Sequence, residues 1–234
     1  MKENFKILSL VFVMTLMILC LQAQTDWPTW LNHKMNGKSN ARGINTKLPF
    51  TGSVWEKNVG LGYSTVSVYR NRLLTAGYSQ QQRKDYIFCF NAKTGRLIWQ
   101  YSYPATKGRG YPGVRSTPVT NGRYVYQFSR DGLLVCLALS NGRLVWKKDV
   151  VNQFGAEKPH WGFASTPVFM GGKVVINAGV FGMAFDPVTG QSKWPNKAGA
   201  GNYSSVKAFR YRGKDYAALA IKKYLCILDQ RTGK

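Results

Sequence analysis

The chain has 234 residues, with 33 Lys and Arg against 10 Asp and Glu, 2 His, 24 Gly and 14% aromatic residues. That length suffices for a sizeable core, and a hydrophobic content of 44% excludes a disordered tail. So few His and carboxylates exclude most multi-metal hydrolases, and no catalytic or metal-ligating residue is assigned.

Lys2 and Lys6 precede an apolar run from Ile7 to Leu21, and Ala23 follows. A charged head, an apolar stretch and a small residue at the cut make residues 1–23 a secretory signal peptide. The run is short for a membrane span, which needs about 20 apolar residues. Leu19 precedes Cys20 where a lipoprotein signal prefers Gly or Ala, so no lipid anchor is expected. The protein is expected in the periplasm, the cell envelope or outside the cell. A net charge of +23 then points to a protein or an anionic envelope polymer rather than to nucleic acid, which an exported protein rarely meets. Residues 24–53 read as an N-terminal extension. Within it Asn36-Gly37-Lys38-Ser39 imitates a phosphate loop, but Asn32 stands where the first glycine is needed.

A repeat organises residues 54–234. Asn91-Ala92-Lys93-Thr94-Gly95-Arg96-Leu97-Ile98-Trp99 returns as Leu139 to Trp146 and as Asp186 to Trp194, and begins again at Asp229. The glycines Gly95, Gly142, Gly190 and Gly233 are 47, 48 and 43 residues apart, and Trp99, Trp146 and Trp194 each follow by four. A second element, Ser116-Thr117-Pro118-Val119 and Ser165-Thr166-Pro167-Val168, has weaker versions at Ser64 and Ser204. Each unit holds four short β-rich runs bounded by Gly, Asn and Asp. Asn121-Gly122, Asp131-Gly132 and Asn141-Gly142 read as hairpin turns. Four antiparallel strands per unit make the blade of an all-β propeller. Blades are expected at about 60–103, 104–151, 152–198 and 199–234, the last incomplete. The tryptophans fill the wedge between blades, and the glycines let a neighbour approach. Val54-Trp55-Glu56-Lys57 looks like an outer strand with no blade before it. The count implies the front of a wheel of seven or eight blades; the alternative is a closed four-bladed ring completed by the Trp55 strand. Cys89, Cys136 and Cys226 sit in apolar runs and read as buried, inert thiols.

The pattern Asx-Ala-x-Thr-Gly-Arg/Lys-x-x-Trp resembles the repeat of pyrroloquinoline-quinone (PQQ)-like β-propeller proteins. Pro159-His160-Trp161-Gly162-Phe163 and Asp26-Trp27-Pro28 resemble secreted bacterial members. The resemblance implies one of two activities. Quinoprotein dehydrogenases bind PQQ with calcium on the propeller axis, whereas BamB-type factors scaffold outer-membrane protein assembly without catalysis. No adjacent Cys pair occurs and few carboxylates remain, so no cofactor is expected. The alternatives left open are a PQQ-dependent dehydrogenase and a polysaccharide-binding module. Residues just before each Ser-Thr element should line the mouth of the central channel. These are Tyr63, Arg115, His160, Trp161 and Tyr203, with Arg109 and Tyr111 in the connection before Arg115. A cationic, aromatic rim suits an anionic or planar ligand.

Overall fold

The computed structural model describes residues 26–32, 34–39, 41, 52–108, 110–195 and 197–234. Residues 1–23, expected to be a signal peptide, and Cys20 among them lie outside the described residues. Four antiparallel sheets follow one another. The first is β1 (Ser67–Tyr69), β2 (Arg72–Ser79), β3 (Lys84–Asn91) and β4 (Leu97–Pro104), hydrogen-bonded in chain order. The second is β5 (Val119–Thr120), β6 (Tyr124–Phe128), β7 (Leu133–Ala138) and β8 (Leu144–Asp149). A one-turn helix, α1 (Val150–Phe154), leads to β9 (Ala156–Glu157). The third sheet is β10 (Val168–Met170), β11 (Lys173–Ile176) and β12 (Met183–Phe185). After β13 (Gly199–Ala200), which pairs in parallel with β9, the fourth sheet is β14 (Lys207–Tyr211), β15 (Lys214–Ile221) and β16 (Tyr224–Asp229).

Helix α1 was not foreseen, because five residues are too few to show a helical period. It exists through its caps. Asp149 accepts the Val151 and Asn152 N–H groups, and Gly155 closes the turn at φ 65°. The third sheet also departs from the four-strand expectation. Its outer strand shrinks to a bridge from Phe185 to Ser192 and one bond from Lys193 N–H to Ala184 O. Pro195 follows and has no N–H with which to continue. The turns differ in detail as well. The tight turn after β5 is centred on Gly122-Arg123 rather than on Asn121-Gly122, with Gly122 at φ 88°. Arg130-Asp131-Gly132 is a three-residue loop.

The core lies between sheets. Leu74, Ile87, Cys89 and Tyr103 of the first meet Val125, Val135 and Leu137 of the second. Tyr126, Phe128 and Leu134 of the second meet Val174, Ile176 and Phe185 of the third. Val168, Val175 and Ala184 of the third meet Ala217, Leu219 and Leu228 of the fourth. Cys89 and Cys136 are buried free thiols, whose pKa burial raises to about 12 in each. Cys226 is free but only half-buried, because β16 is an outer edge.

Each sheet is fastened to the next by one indole. Trp99 Nε1 donates to Leu139 O at 2.9 Å, Trp146 Nε1 to Pro187 O at 3.2 Å, and Trp194 Nε1 to Gln230 O at 3.1 Å. Trp55 repeats the contact with Ala92 O at 3.1 Å. Every ring lies on the glycine of the next repeat. A Cβ at Gly95, Gly142, Gly190 or Gly233 would stand 2.5–2.7 Å from Trp55, Trp99, Trp146 or Trp194. These glycines have φ of 67°, 72°, 68° and 70°. Both the backbone and the indole therefore demand glycine.

The turn that carries each glycine is the same four times. The N–H groups of Gly95, Gly142, Gly190 and Gly233 donate to Asn91, Ala138, Asp186 and Asp229 carbonyls at 2.8–2.9 Å. In three turns the Asx side chain accepts two further N–H groups, as Asp186 Oδ1 does from Val188 and Thr189. Those bonds hold the Asp186 carboxyl down at about 2. Ala138 in the second sheet has no such side chain.

One buried pair interrupts the apolar interface between the first two sheets. Asp85 and Arg130 are 0% and 1% exposed, with Asp85 Oδ1 4.0 Å from Arg130 Nη2. That separation is an ion pair without a hydrogen bond. Among the described residues, neither Asp85 oxygen nor the Tyr103 hydroxyl has a hydrogen-bond partner. Burial raises the Asp85 pKa to about 7, against the opposing pull of Arg130 and with a further push from Asp131. The native state thus holds a proton that the unfolded state releases near pH 4.

Three outcomes follow. Trp146→Ala should lower stability by about 3–5 kcal/mol in urea melts, and Gly190→Ala by about 1–3 kcal/mol. The double variant should lose less than the sum, because without the indole the new methyl meets no ring. Ala138→Asn should add the missing side-chain bonds and raise stability by about 1 kcal/mol. Stability should fall between pH 4 and 7, as the unfolded chain binds fewer protons than the native one, and level off above 7. Asp85→Asn should flatten that slope in melts taken across the same range.

Candidate functional site

A second set of bonds runs along the inner edges of the sheets. Thr65 N–H donates to Thr117 Oγ1 at 3.3 Å, Thr117 N–H to Thr166 Oγ1 at 3.1 Å, and Thr166 N–H to Ser205 Oγ at 2.9 Å. The Ser-Thr element recurs because each copy supplies a hydroxyl acceptor to the copy before it. This belt fixes where the preceding residues stand. Tyr63, Arg115 and Tyr203 lie two positions before Thr65, Thr117 and Ser205.

The structure brings Tyr63, Tyr111, Arg115, Trp161 and Tyr203 together around a cavity of about 520 Å³. The rings are open to solvent: Tyr63 is 56% exposed, Tyr111 71%, Trp161 42% and Tyr203 39%. Tyr63 and Tyr111 meet edge to face, with centroids 6.0 Å apart. Arg115 spans the loops, donating through Nη1 to Trp161 O and through Nη2 to Tyr111 O at 2.9 Å. Burial, then the charge of Arg130, lowers the Arg115 pKa from its ordinary value. Its guanidinium remains charged. Trp161 N–H donates to the Tyr203 hydroxyl at 3.3 Å. A Cβ at Gly110 would overlap the Trp161 ring.

His160 does not line this cup. Its ring stands edge to face against Trp161 at 4.7 Å and borders a neighbouring cavity of about 510 Å³ with Arg130, Asp131 and Lys158. Arg109 lies outside the described residues. Sequence reasoning missed Arg130, which ties two rim loops together. Its side chain donates to Gly113 O at 2.9 Å and covers the Tyr78 ring at 4.7 Å. Its carbonyl accepts Phe163 N–H at 2.9 Å. The signal was its place beside the turn Asp131-Gly132.

The N-terminal segment was also unread. Trp27 pairs with Val68 of β1, Pro28 O accepts Thr120 N–H at 2.9 Å, and Lys207 Nζ donates to Met35 O at 2.5 Å. This segment therefore crosses the inner strands of three sheets. It encloses a largely apolar cavity of about 270 Å³ with Tyr69, Pro167 and Phe169.

A calcium-supported quinone would call for a cluster of oxygen donors. No three His, Cys, Asp or Glu side chains come together among the described residues. Asp186 and Asp229 are engaged in turns, Asp131 holds Thr106 and Lys158, and Asp85 faces Arg130. The cup itself is lined by no carboxylate. Among the described residues no helix is long and apolar enough to cross a membrane.

Comparison with known proteins agrees with the architecture. The BamB factor of Kangiella koreensis is 24% identical over 184 residues, covering 76% of this chain and 42% of that protein. The tetrathionate hydrolase of Acidithiobacillus ferrooxidans is 30% identical over 225 residues, covering 85% of this chain and 41% of that enzyme. The quinohemoprotein alcohol dehydrogenase of Comamonas testosteroni superposes with a TM-score of 0.64 at 19% identity, over 90% of this chain and 40% of that one. The chain thus spans about two-fifths of the length of each of these relatives. Residues 83–234 match the model of a family described as outer membrane protein assembly factor BamB. Its indole-on-glycine repeat and that match place the chain in the PQQ-like β-propeller repeat family, alongside BamB and the quinoprotein dehydrogenases.

Proposed function

We propose that the protein is a non-enzymatic binding scaffold, exported to the bacterial cell envelope, that docks an acidic segment of a partner protein in the aromatic cup. The observation that carries this reading is the cup: exposed rings from successive repeats around one half-buried arginine. Aromatic rings and Arg are the side chains that most often anchor protein partners. Two direct hydrogen bonds already orient the guanidinium, so little freedom is lost on binding. The net charge of +23 steers an acidic partner toward it. The match to an assembly factor supports a scaffolding role. The likeness to a quinohemoprotein alcohol dehydrogenase supports a common frame alone, and the cup is lined by rings and an arginine rather than by carboxylates.

A photo-reactive side chain at position 203, introduced in cells, should capture an envelope protein. Trp161→Ala and Arg115→Ala should each weaken binding of that purified partner about tenfold or more. Unchanged affinity in both variants would remove the cup from the mechanism. Adding PQQ and calcium to the full chain should leave the absorbance spectrum additive. Stoichiometric uptake with dye reduction would reassign the protein as an oxidoreductase, and retention on insoluble cell-wall glycan would reassign it as a polysaccharide binder.

A further inference from the structure

The cavity of about 510 Å³ beside the cup shares Trp161 with it. Three connections build its walls. The link from β4 to β5 brings Thr106 and Gly108, the loop from β6 to β7 brings Arg130 and Asp131, and the link from β9 to β10 brings Lys158 and His160.

The carboxylate in this wall is already engaged. Asp131 Oδ2 accepts Thr106 N–H at 2.8 Å, and Oδ1 accepts the Thr106 hydroxyl at 2.7 Å and Lys158 Nζ at 3.1 Å. Lys158 and Asp131 cancel in charge, which leaves that of Arg130. Its Nη1 donates to Gly113 O at 2.9 Å, but among the described residues its Nε and Nη2 have no hydrogen-bond partner. Asp85 Oδ1 stands 4.0 Å from Nη2, beyond hydrogen-bond reach. Burial raises the Asp85 pKa to about 7, which leaves its charge incomplete at neutral pH. Arg130 is therefore short of both hydrogen bonds and counter-charge. Gly108 lies against its guanidinium, where a Cβ would stand 3.3 Å from Nε. A glycine there keeps that edge clear of a side chain.

A buried charge so poorly met is costly. It also attracts an anion more strongly than an exposed lysine does, because its surroundings screen it less. The groups at the mouth can bind such an anion directly. Lys158 and His160 are both exposed. The Lys158 ammonium has three N–H donors, of which the Asp131 bond uses one, and the His160 ring brings a further N–H.

We propose that this cavity is a carboxylate subsite of the cup, with Lys158 and His160 binding the carboxylate at the mouth and Arg130 supplying the charge beneath. The proposal rests on the cup as the docking site of an acidic segment. Side chains two residues apart on an extended segment lie on one side, about 7 Å from each other. A segment with a ring in the cup thus lays an acidic side chain across Trp161 into the cavity.

Two acetylated and amidated peptides, Tyr-Ser-Glu and Tyr-Ser-Gln, titrated into the full chain test this. The chain has two His, so His160→Gln identifies the His160 ring protons in the NMR spectrum. The Glu peptide should shift those protons saturably and bind about fivefold or more tighter than the Gln peptide. Lys158→Gln and His160→Gln should each erase most of that preference, with circular dichroism unchanged. Arg115→Ala should weaken both peptides alike. Equal affinity of the two peptides, both weakened by Arg115→Ala, would overturn the subsite and leave the cup standing. A preference that survives both Lys158→Gln and His160→Gln would also overturn it. So would peptides that leave the His160 protons unmoved while inorganic phosphate moves them, which would show a site for free oxyanions. Failure of the cup reads differently: Arg115→Ala would leave both affinities unchanged, while a Glu preference lost in Lys158→Gln would still support the anion site.

Discussion

An indole lying flat on a left-handed glycine sets the spacing of the whole molecule. A buried tryptophan needs an acceptor for its N–H, and the next repeat offers a turn carbonyl at 2.9–3.2 Å. The ring then has one flat place to rest, where a side chain is absent. Distance, tilt and hydrogen bond are fixed together. Sheets held this way at their outer edges splay like wedges, and their inner edges are forced together. There the Thr and Ser hydroxyls close the belt from Thr65 to Ser205.

The belt converts this spacing into a site. The residues two positions before Thr65, Thr117 and Ser205 are fixed in place by it, so Tyr63, Arg115 and Tyr203 come together around one cavity. Their backbone is held by neighbours, while their side chains reach solvent. Such a frame tolerates exchange of rim residues without refolding, which is how one architecture serves relatives with different chemistry. In this chain the rim is aromatic and basic.

Much of this was legible. The Gly-to-Trp interval and the Ser-Thr element stand in the sequence, and both kinds of contact depend on local residue type. Three of the rim candidates, Tyr63, Arg115 and Tyr203, share the cup because the belt repeats where the sequence repeats, and Trp161 joins them through its bonds to Arg115 and Tyr203. His160 faces elsewhere because Trp161, packed on Gly110, occupies the inner side of their turn. The truncated third sheet depended on Pro195, whose effect two residues beyond Lys193 carries no period. The N-terminal segment has no repeat partner, so nothing local announced that Trp27 and Pro28 would cross inner strands. The Asp85–Arg130 pair was hidden for the same reason: each looks like an ordinary surface residue until the two sheets pack.

That pair explains something that stability alone does not. A buried ion pair without hydrogen bonds is a poor stabiliser, and an apolar substitute of similar volume would serve the interface better. Arg130, however, reaches both rim loops. Its side chain holds Gly113, next to the loop with Tyr111, and its carbonyl holds Phe163, beyond Trp161. Tyr78 covers its guanidinium and Asp85 stands behind it. An apolar residue at 130 would keep the backbone bond and lose the side-chain one, freeing one wall of the cup from the other. The buried charge therefore makes better sense as a brace for the rim than as part of the core, and it links the interface of the first two sheets to the geometry of the site.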